Sequence, residues 1–295
     1  MKELKGKTAF VTGGSSGIGL GIVKVLAAEG MKVAFSYRRQ DHLDQTMAYF
    51  RDRPGKVVHP IKVDVTDRPG MAAARAEIEG VYGPVQVLVN NAGVGIHGLM
   101  EQATFSDWDW VMSVNVGGVV NSLITFLPGM ISSGCEAHIV NVASMGGIAA
   151  LGSVGLYTTT KYAVVGLSES LRTDMMGRNV GVSVYCPGTV KSNIGEGGRM
   201  RHARFKDSGY PPPQPLEPGE TSFMDLAMEA VEAGGHVLRG IKENQLFIIS
   251  HAEYRDVLRA RHAKIEASIT GEAVDEVRAD SVRFILSNAI YSEDA

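Results

Sequence analysis

The stretch Thr12-Gly13-Gly14-Ser15-Ser16-Gly17-Ile18-Gly19 decides the reading of this 295-residue chain. A short apolar, β-branched run (8–12) leads into it, and a helix-period segment (18–30) leads out. Glycines at 13, 17 and 19 let the backbone turn sharply out of a strand and come close to a pyrophosphate. The helix start adds free N–H groups and partial positive charge, so Gly13, Ser15, Ser16, Gly17, Ile18 and Gly19 form a candidate phosphate cradle. No Gly-Lys-Ser/Thr ending follows, which argues against a P-loop NTPase.

Outward from this loop, strand-like runs at 32–37, 57–63, 85–90, 138–143 and 180–186 alternate with helical patterns at 41–53, 70–82, 106–131 and 155–177. The alternation predicts an α/β fold, a Rossmann-type doubly wound parallel sheet covered by helices on both faces. After Cys186 the pattern lapses. Residues 195–219, rich in Gly, Arg and Pro and including Pro211-Pro212-Pro213, read as a substrate-covering lobe within about 190–220. A last strand is expected at 245–250, a charged helix at 253–268 and a C-terminal extension at 270–295. No repeat or composition shift divides the chain, so 1–295 reads as one domain.

Composition sets limits on function. Lys and Arg total 29 against 32 Asp and Glu, a net charge of −3, which gives no support for a nucleic-acid partner. Two cysteines, Cys135 and Cys186, rule out a disulfide scaffold and a Cys-rich zinc site, and their apolar surroundings suggest buried thiols. The eight histidines contain no His-x-x-x-His pair, so no metal is expected. Residues 110–135 lack acidic and basic side chains, yet Asn115, Asn121 and Pro128 within them favour a buried helix over a membrane span. With no leader-like apolar run at the start, a soluble cytoplasmic protein without a membrane partner is expected.

The chemistry is read from Tyr157-Thr158-Thr159-Thr160-Lys161 and Ser144. Tyr157 and Lys161, spaced i, i+4, share one helix face, and Ser144 falls at the carboxyl end of a strand, where open α/β sheets bind ligands. A tyrosine ionises near 10, so proton transfer near neutrality needs its pKa lowered by roughly 2–3 units. A lysine ammonium and a positively charged nicotinamide have the right sign to do so. The end of the second strand chooses the cofactor: Tyr37 stands where an NAD site usually has a carboxylate for the ribose 2′-hydroxyl, and Arg38 and Arg39 follow. Two guanidiniums there suit the 2′-phosphate of NADP.

These residues together resemble the short-chain dehydrogenase/reductase family, in its single-domain branch, over roughly residues 5–195. The resemblance rests on the 12–19 loop, Asp64, Asn90-Asn91-Ala92-Gly93, Asn115, Ser144, Tyr157, Lys161 and Pro187-Gly188. It implies Tyr157 as general acid/base, with Lys161 lowering its pKa and holding the nicotinamide ribose. Ser144 would orient the substrate oxygen, and Asn115 would hold a water relaying protons to Lys161. Asp64 and Val65 would meet adenine, and Asn91, Ala92 and Gly93 would support the cofactor. Pro187, Gly188, Val190 and Ser192 would line the nicotinamide. The family also implies a homodimer or homotetramer built on helices beginning near Ser106 and Gly155. Val282, Phe284, Ile285 and Ile290 are further candidates to meet a neighbour, while Trp108 and Trp110 read as packing residues.

Gln40-Asp41-His42-Leu43-Asp44, Asp107-Trp108-Asp109-Trp110, Lys191-Ser192-Asn193-Ile194 and residues 245–249 look like bacterial aryl-carbinol dehydrogenases, which oxidise the Cα alcohol of lignin-derived β-aryl ethers, and like alcohol dehydrogenases for bulky ketones. The expected activity is hydride transfer between NADP(H) and a bulky or aryl secondary alcohol or ketone. Alternatives are a steroid or 3-oxoacyl reductase using NAD(P), and, from another class, a non-catalytic NADP-binding regulator.

Overall fold

All four side chains of β1 (Thr8–Val11) are buried, as befits a strand at the centre of a sheet covered on both faces. The computed structural model describes residues 1–53, 55, 57–211, 223–271, 273–283 and 288–291. Around β1 stand β2 (Lys32–Tyr37), β3 (Val57–Lys62), β4 (Val85–Asn90), β5 (Ala137–Val142), β6 (Val180–Tyr185) and β7 (Phe247–Ile248). They form one parallel sheet in the order β3-β2-β1-β4-β5-β6-β7. This is the doubly wound Rossmann-type arrangement, and its order reverses between β1 and β4.

Side chains alternate across the sheet into two cores. Phe10, Leu88, Ile139 and Val182 face one way, packing with residues of α3 (Arg68–Tyr82), α4 (Phe105–Asn115), α5 (Gly117–Ser132) and α6 (Gly155–Asp174). Ala9, Val11, Val87, Val89 and Val140 face the other, against α1 (Gly17–Ala28) and α7 (Ala230–Glu243). α2 (Gln40–Arg51) adds Leu43 and Phe50 to this second core. Trp110 is fully buried in the first core, so its indole packs rather than waiting for a ligand.

Several sequence expectations change here. The helix expected over 106–131 is two helices, α4 and α5, broken at Val116. Gly117-Gly118 weaken the helix there, and Asn115 is pulled into tertiary bonds at the same place. Its side chain turns back to accept the Val94 N–H at 2.8 Å and to donate to the Val94 carbonyl and the Thr160 hydroxyl, both at 3.0 Å. The uncharged run is therefore neither one continuous helix nor wholly buried, since Ile124 is 72% exposed. Cys186 is buried, but Cys135 is exposed at the turn before β5, contrary to the expected burial.

The expected last strand shrinks to two residues, β7, and the charged helix becomes α8 (Arg255–Glu266), preceded by a turn at Ala252–Tyr254. The lobe is built from 3-10 turns at Ile194–Met200 and Ala203–Phe205, while the 212–222 part of it, including Pro212-Pro213, lies outside the described residues. The C-terminal extension includes α9 (Glu276–Ser281). Ile290, a candidate for meeting a neighbour, is instead buried within its own chain, and the adjacent Tyr291 hydroxyl donates to Glu169 of α6 at 2.9 Å. Phe284 and Ile285 lie outside the described residues.

Candidate active site

The glycine loop and the β4 turn are stitched together across the switch point. The Thr12 hydroxyl accepts the N–H groups of Asn91 and Ala92 at 2.9 and 3.0 Å, and the Asn91 amide donates to the Thr12 and Gly13 carbonyls. Gly13 and Gly17 hold φ of +64° and +51°, the left-handed region that side chains resist. From behind, Thr46 of α2 donates to the Ser15 carbonyl at 3.0 Å. The cap residue of α1, Ser16, makes no side-chain capping bond, and no acidic residue lies in the first turn. By contrast α3 and α4 are capped by Asp67 and Thr104. The first-turn N–H groups of α1 therefore keep their hydrogen-bonding capacity for an anion, and this cradle fits the pyrophosphate of a dinucleotide.

At the end of β2, Arg38 Nε lies 3.2 Å from Asp64 Oδ2, and Arg39 is ion-paired with Asp41. Asp64 is further held by the Thr66 N–H and hydroxyl, both at 2.9 Å, and the Val65 carbonyl accepts from Asn121 at 2.9 Å. The arginines and the expected adenine-binding carboxylate thus lie side by side, with Tyr37 half-buried next to them.

The second half of the site gathers at the ends of β5 and β6. The ammonium of Lys161, 4% exposed, donates to the Val142 carbonyl at 3.0 Å and stands 5.4 Å from the centre of the Tyr157 ring. A Cβ on Gly93 would sit 3.3 Å from Asn115 Oδ1 and 3.6 Å from Lys161 Nζ, so the bare glycine lets the β4 turn pass between those two side chains. Burial pushes the Tyr157 hydroxyl up to about 12, against the pull of its hydrogen bond with Ser144. Burial likewise lowers Lys161 to about 8. The tyrosine shift runs opposite to the one that proton transfer needs, because burial disfavours the phenolate more strongly than its neighbours favour it.

For the water expected between Asn115 and Lys161, the Asn115 side chain is already spoken for. Its amide is committed to Val94 and Thr160 and makes no direct bond to Lys161. The helix break does release its carbonyl from the i→i+4 ladder: Val120 N–H reaches Val116, and the ladder resumes only there. Val190 is buried in the core beside α1, and Ser192 packs against Gly17. Cys186, just before Pro187, is fully buried, and burial raises the thiol to about 12, leaving it an inert packing group.

Sequence reasoning missed two contributors. The imidazole of His251 sits behind the Pro187-Gly188 turn, bonded to Gly188 at 3.0 Å. Arg201, from the lobe, is ion-paired at 2.6 Å with the fully buried Asp107 and lies over the Trp110 ring at 4.4 Å. Spacing along the chain gave no signal for either, although Asp107 and Trp110 had stood out as part of a motif.

A dinucleotide cradle joined to a Ser-Tyr-Lys cluster defines a nicotinamide-dependent oxidoreductase built on a single sheet. Residues 7–201 match the short chain dehydrogenase profile, and the chain belongs to that family. It is 35% identical over 270 residues to the C alpha-dehydrogenase of Sphingobium sp. (strain NBRC 103272 / SYK-6), covering 91% of this chain and 88% of that protein. Among solved structures, the apo form of LigO from Sphingobium sp. strain SYK-6 superposes with a TM-score of 0.79 at 40% identity, covering 97% and 98% of the two chains. A short chain dehydrogenase/reductase from Burkholderia phymatum, in complex with NAD, gives 0.82 at 28% identity and covers 93% and 99%.

Proposed function

We propose that this oxidoreductase is an NADP(H)-dependent alcohol dehydrogenase or ketone reductase acting on a bulky or aryl secondary alcohol or ketone. The buried Lys161 ammonium, 5.4 Å from the Tyr157 ring and bonded to the end of β5 just before Ser144, carries the reading. Gly13 and residues 15–19 would hold the phosphates, Asp64 and Val65 the adenine, Asn91, Ala92 and Gly93 the adjoining ribose, and Pro187, Gly188, Val190 and Ser192 the nicotinamide. When bound, the nicotinamide supplies or takes up the hydride and brings a positive charge to the site in its oxidised form.

Tyr157 holds the proton at its hydroxyl oxygen and passes it to a carbonyl oxygen, or receives it from a carbinol, while Ser144 fixes that oxygen by a hydrogen bond. With burial holding the phenol near 12, the protonated form that donates in reduction is the resting form. Lys161 places a charge below the phenol and offers its remaining protons to the ribose. The released Asn115 carbonyl is suited to hold a water beside the ammonium.

Arg38 and Arg39 support NADP. Both are more than one-third exposed, so water and salt screen their ion pairs with Asp64 and Asp41, which are open to exchange for a phosphate. A 2′-phosphate offers two guanidiniums stronger, charge-assisted bonds. The NAD-bound Burkholderia relative pulls the other way, and Tyr37 in place of a carboxylate tips the choice here. Kinship to the C alpha-dehydrogenase supports the carbinol class. Exposed Phe105 and Ile124, on α4 and α5, are available to the proposed dimer or tetramer interface.

The test is an NADPH-depletion screen over aryl, alicyclic and acyl-thioester ketones, repeated with NADH and with two variants. Tyr157→Phe is expected to lose at least about 100-fold in turnover while binding NADPH in calorimetry. Arg38→Ala should narrow the preference for NADPH over NADH. Retained turnover in the first variant, or equal efficiency with both cofactors in the wild type, overturns the corresponding half of the proposal.

A further inference from the structure

We infer that the lobe is also a cofactor-binding element: His202 and Arg204 close over the adenosine end of the dinucleotide. The inference rests on the reading above that adenine lies at Asp64. A cleft of about 530 Å³ opens there, with Asp64, Thr66 and Arg68 on one wall and His202 and Arg204, more than 130 residues on in the chain, on the other. His202 Nε2 stands 3.9 Å from Asp64 Oδ2. Arg204 lies over the ring of its neighbour Phe205 at 4.6 Å and pairs with no carboxylate among the described residues.

The turn that carries these two side chains is held firmly. Arg201 anchors it from below through the Asp107 ion pair, and the same guanidinium donates to the Phe205 carbonyl at 2.9 Å, closing the turn on itself. Toward its start the lobe follows the rest of the cofactor groove. Ser192 packs on Gly17 of the phosphate loop, and the Asn193 amide lies 3.3 Å from His42 Nε2 at the start of α2. One continuous segment thus runs from the phosphate cradle to the adenine carboxylate.

The chemistry of the cleft selects an adenosine. Guanidinium and imidazole planes stack on a purine face, and a carboxylate accepts from its exocyclic amine. Two basic side chains also complement the phosphates of a dinucleotide. Cofactor site and substrate cover are then parts of one segment: the lobe that the substrate meets also lines the adenosine end of the groove.

Isothermal titration of the full-length His202→Ala/Arg204→Ala variant tests this with two probes, NADPH and adenosine 2′,5′-bisphosphate. Both dissociation constants should rise roughly tenfold and in parallel, the effect of losing two modest cation–π contacts. An unchanged thermal midpoint would accompany the loss, because neither side chain is part of the Asp107 anchor. Unchanged affinity for NADPH, or a weakening of NADPH without weakening of the bisphosphate, overturns the inference and leaves the proposed activity standing. A wild type that binds neither probe overturns both.

Discussion

His251 Nδ1 accepts the Gly188 N–H at 3.0 Å, while its Nε2 lies 3.2 Å from the Thr189 carbonyl. A backbone amide can only donate, so Nδ1 is the acceptor and the ring proton sits on Nε2, facing the carbonyl. One imidazole therefore bridges the Gly188 N–H and the Thr189 carbonyl, across two consecutive residues of the turn that follows β6. The Ser250 hydroxyl touches the same Nδ1 at 2.9 Å and meets the Tyr185 hydroxyl at 3.0 Å, which fixes the ring from the side. The edge strand β7 delivers the brace, and this gives the two-residue strand a purpose in the site.

His251→Ala leaves the Gly188 N–H without its acceptor, at a cost of about 1–3 kcal/mol in local order. If the turn places the nicotinamide, kcat should fall roughly tenfold or more. Affinity for adenosine 2′,5′-bisphosphate, which lacks the nicotinamide, should hold. His251→Gln, whose amide can both accept and donate, should recover part of the rate. Steady-state kinetics paired with calorimetry reads both effects; a loss of bisphosphate affinity with kcat intact would remove His251 from this role.

The residues legible in the sequence are those whose meaning is local. The glycine loop lies between β1 and α1, Tyr157 and Lys161 sit one helical turn apart, and Tyr37-Arg38-Arg39 ends β2, so each could be read from spacing alone. What escaped depends on distant pairs. His251 meets Gly188 across 63 residues, and Arg201 meets Asp107 across 94. The break at Val116 has a local signal in Gly117-Gly118, but what fixes its place is distant along the chain: the bonds of Asn115 to Val94 and Thr160. Spacing likewise reveals the charged neighbour of Tyr157 but not the burial that raises its hydroxyl.

Lys161 sets a pH limit on reduction. Burial lowers it to about 8, so its ammonium is present below that value and lost above it. Tyr157, held near 12, keeps its proton through the same range and contributes no inflection there. The kcat/KM for NADPH-dependent ketone reduction should be level near neutrality and decline above about pH 8. Lys161→Met should reduce activity throughout and remove the inflection; a wild-type profile that keeps rising to pH 10 would contradict the assignment.

His138 makes folding sensitive to acid. The ring is buried beside the Ser183 hydroxyl at 2.8 Å, and burial lowers its pKa to about 3, aided by the N-terminal ammonium and Arg172. In the unfolded chain it takes a proton near 6.5, before the folded state does. Its contribution is therefore complete above about 6.5 and is lost as pH falls toward 3, at up to about 1.4 kcal/mol per unit. Denaturant melts at pH 7.5 and 5.0 should differ less for His138→Gln than for the wild type, by about 2 kcal/mol. Equal differences would show that other groups govern the acid response.

Asp107 ties the lobe to α4. Burial opposes its charge, but Thr104, Gly209, Arg201 and Ser208 all donate to it and hold the carboxyl at about 2. Removing one partner of a buried pair strands the other, which typically costs 3–5 kcal/mol. Asp107→Asn should therefore destabilise far more than an exposed substitution such as Asp256→Asn, whose side chain is 95% exposed on α8. Arg201→Met removes the stranded cation as well, so the double variant Asp107→Asn/Arg201→Met should recover part of the loss instead of adding to it. Thermal and denaturant unfolding of the four proteins closes the cycle. Strict additivity would mean that the ion pair does not hold the lobe, and that Asp107 acts only as the cap of its own helix.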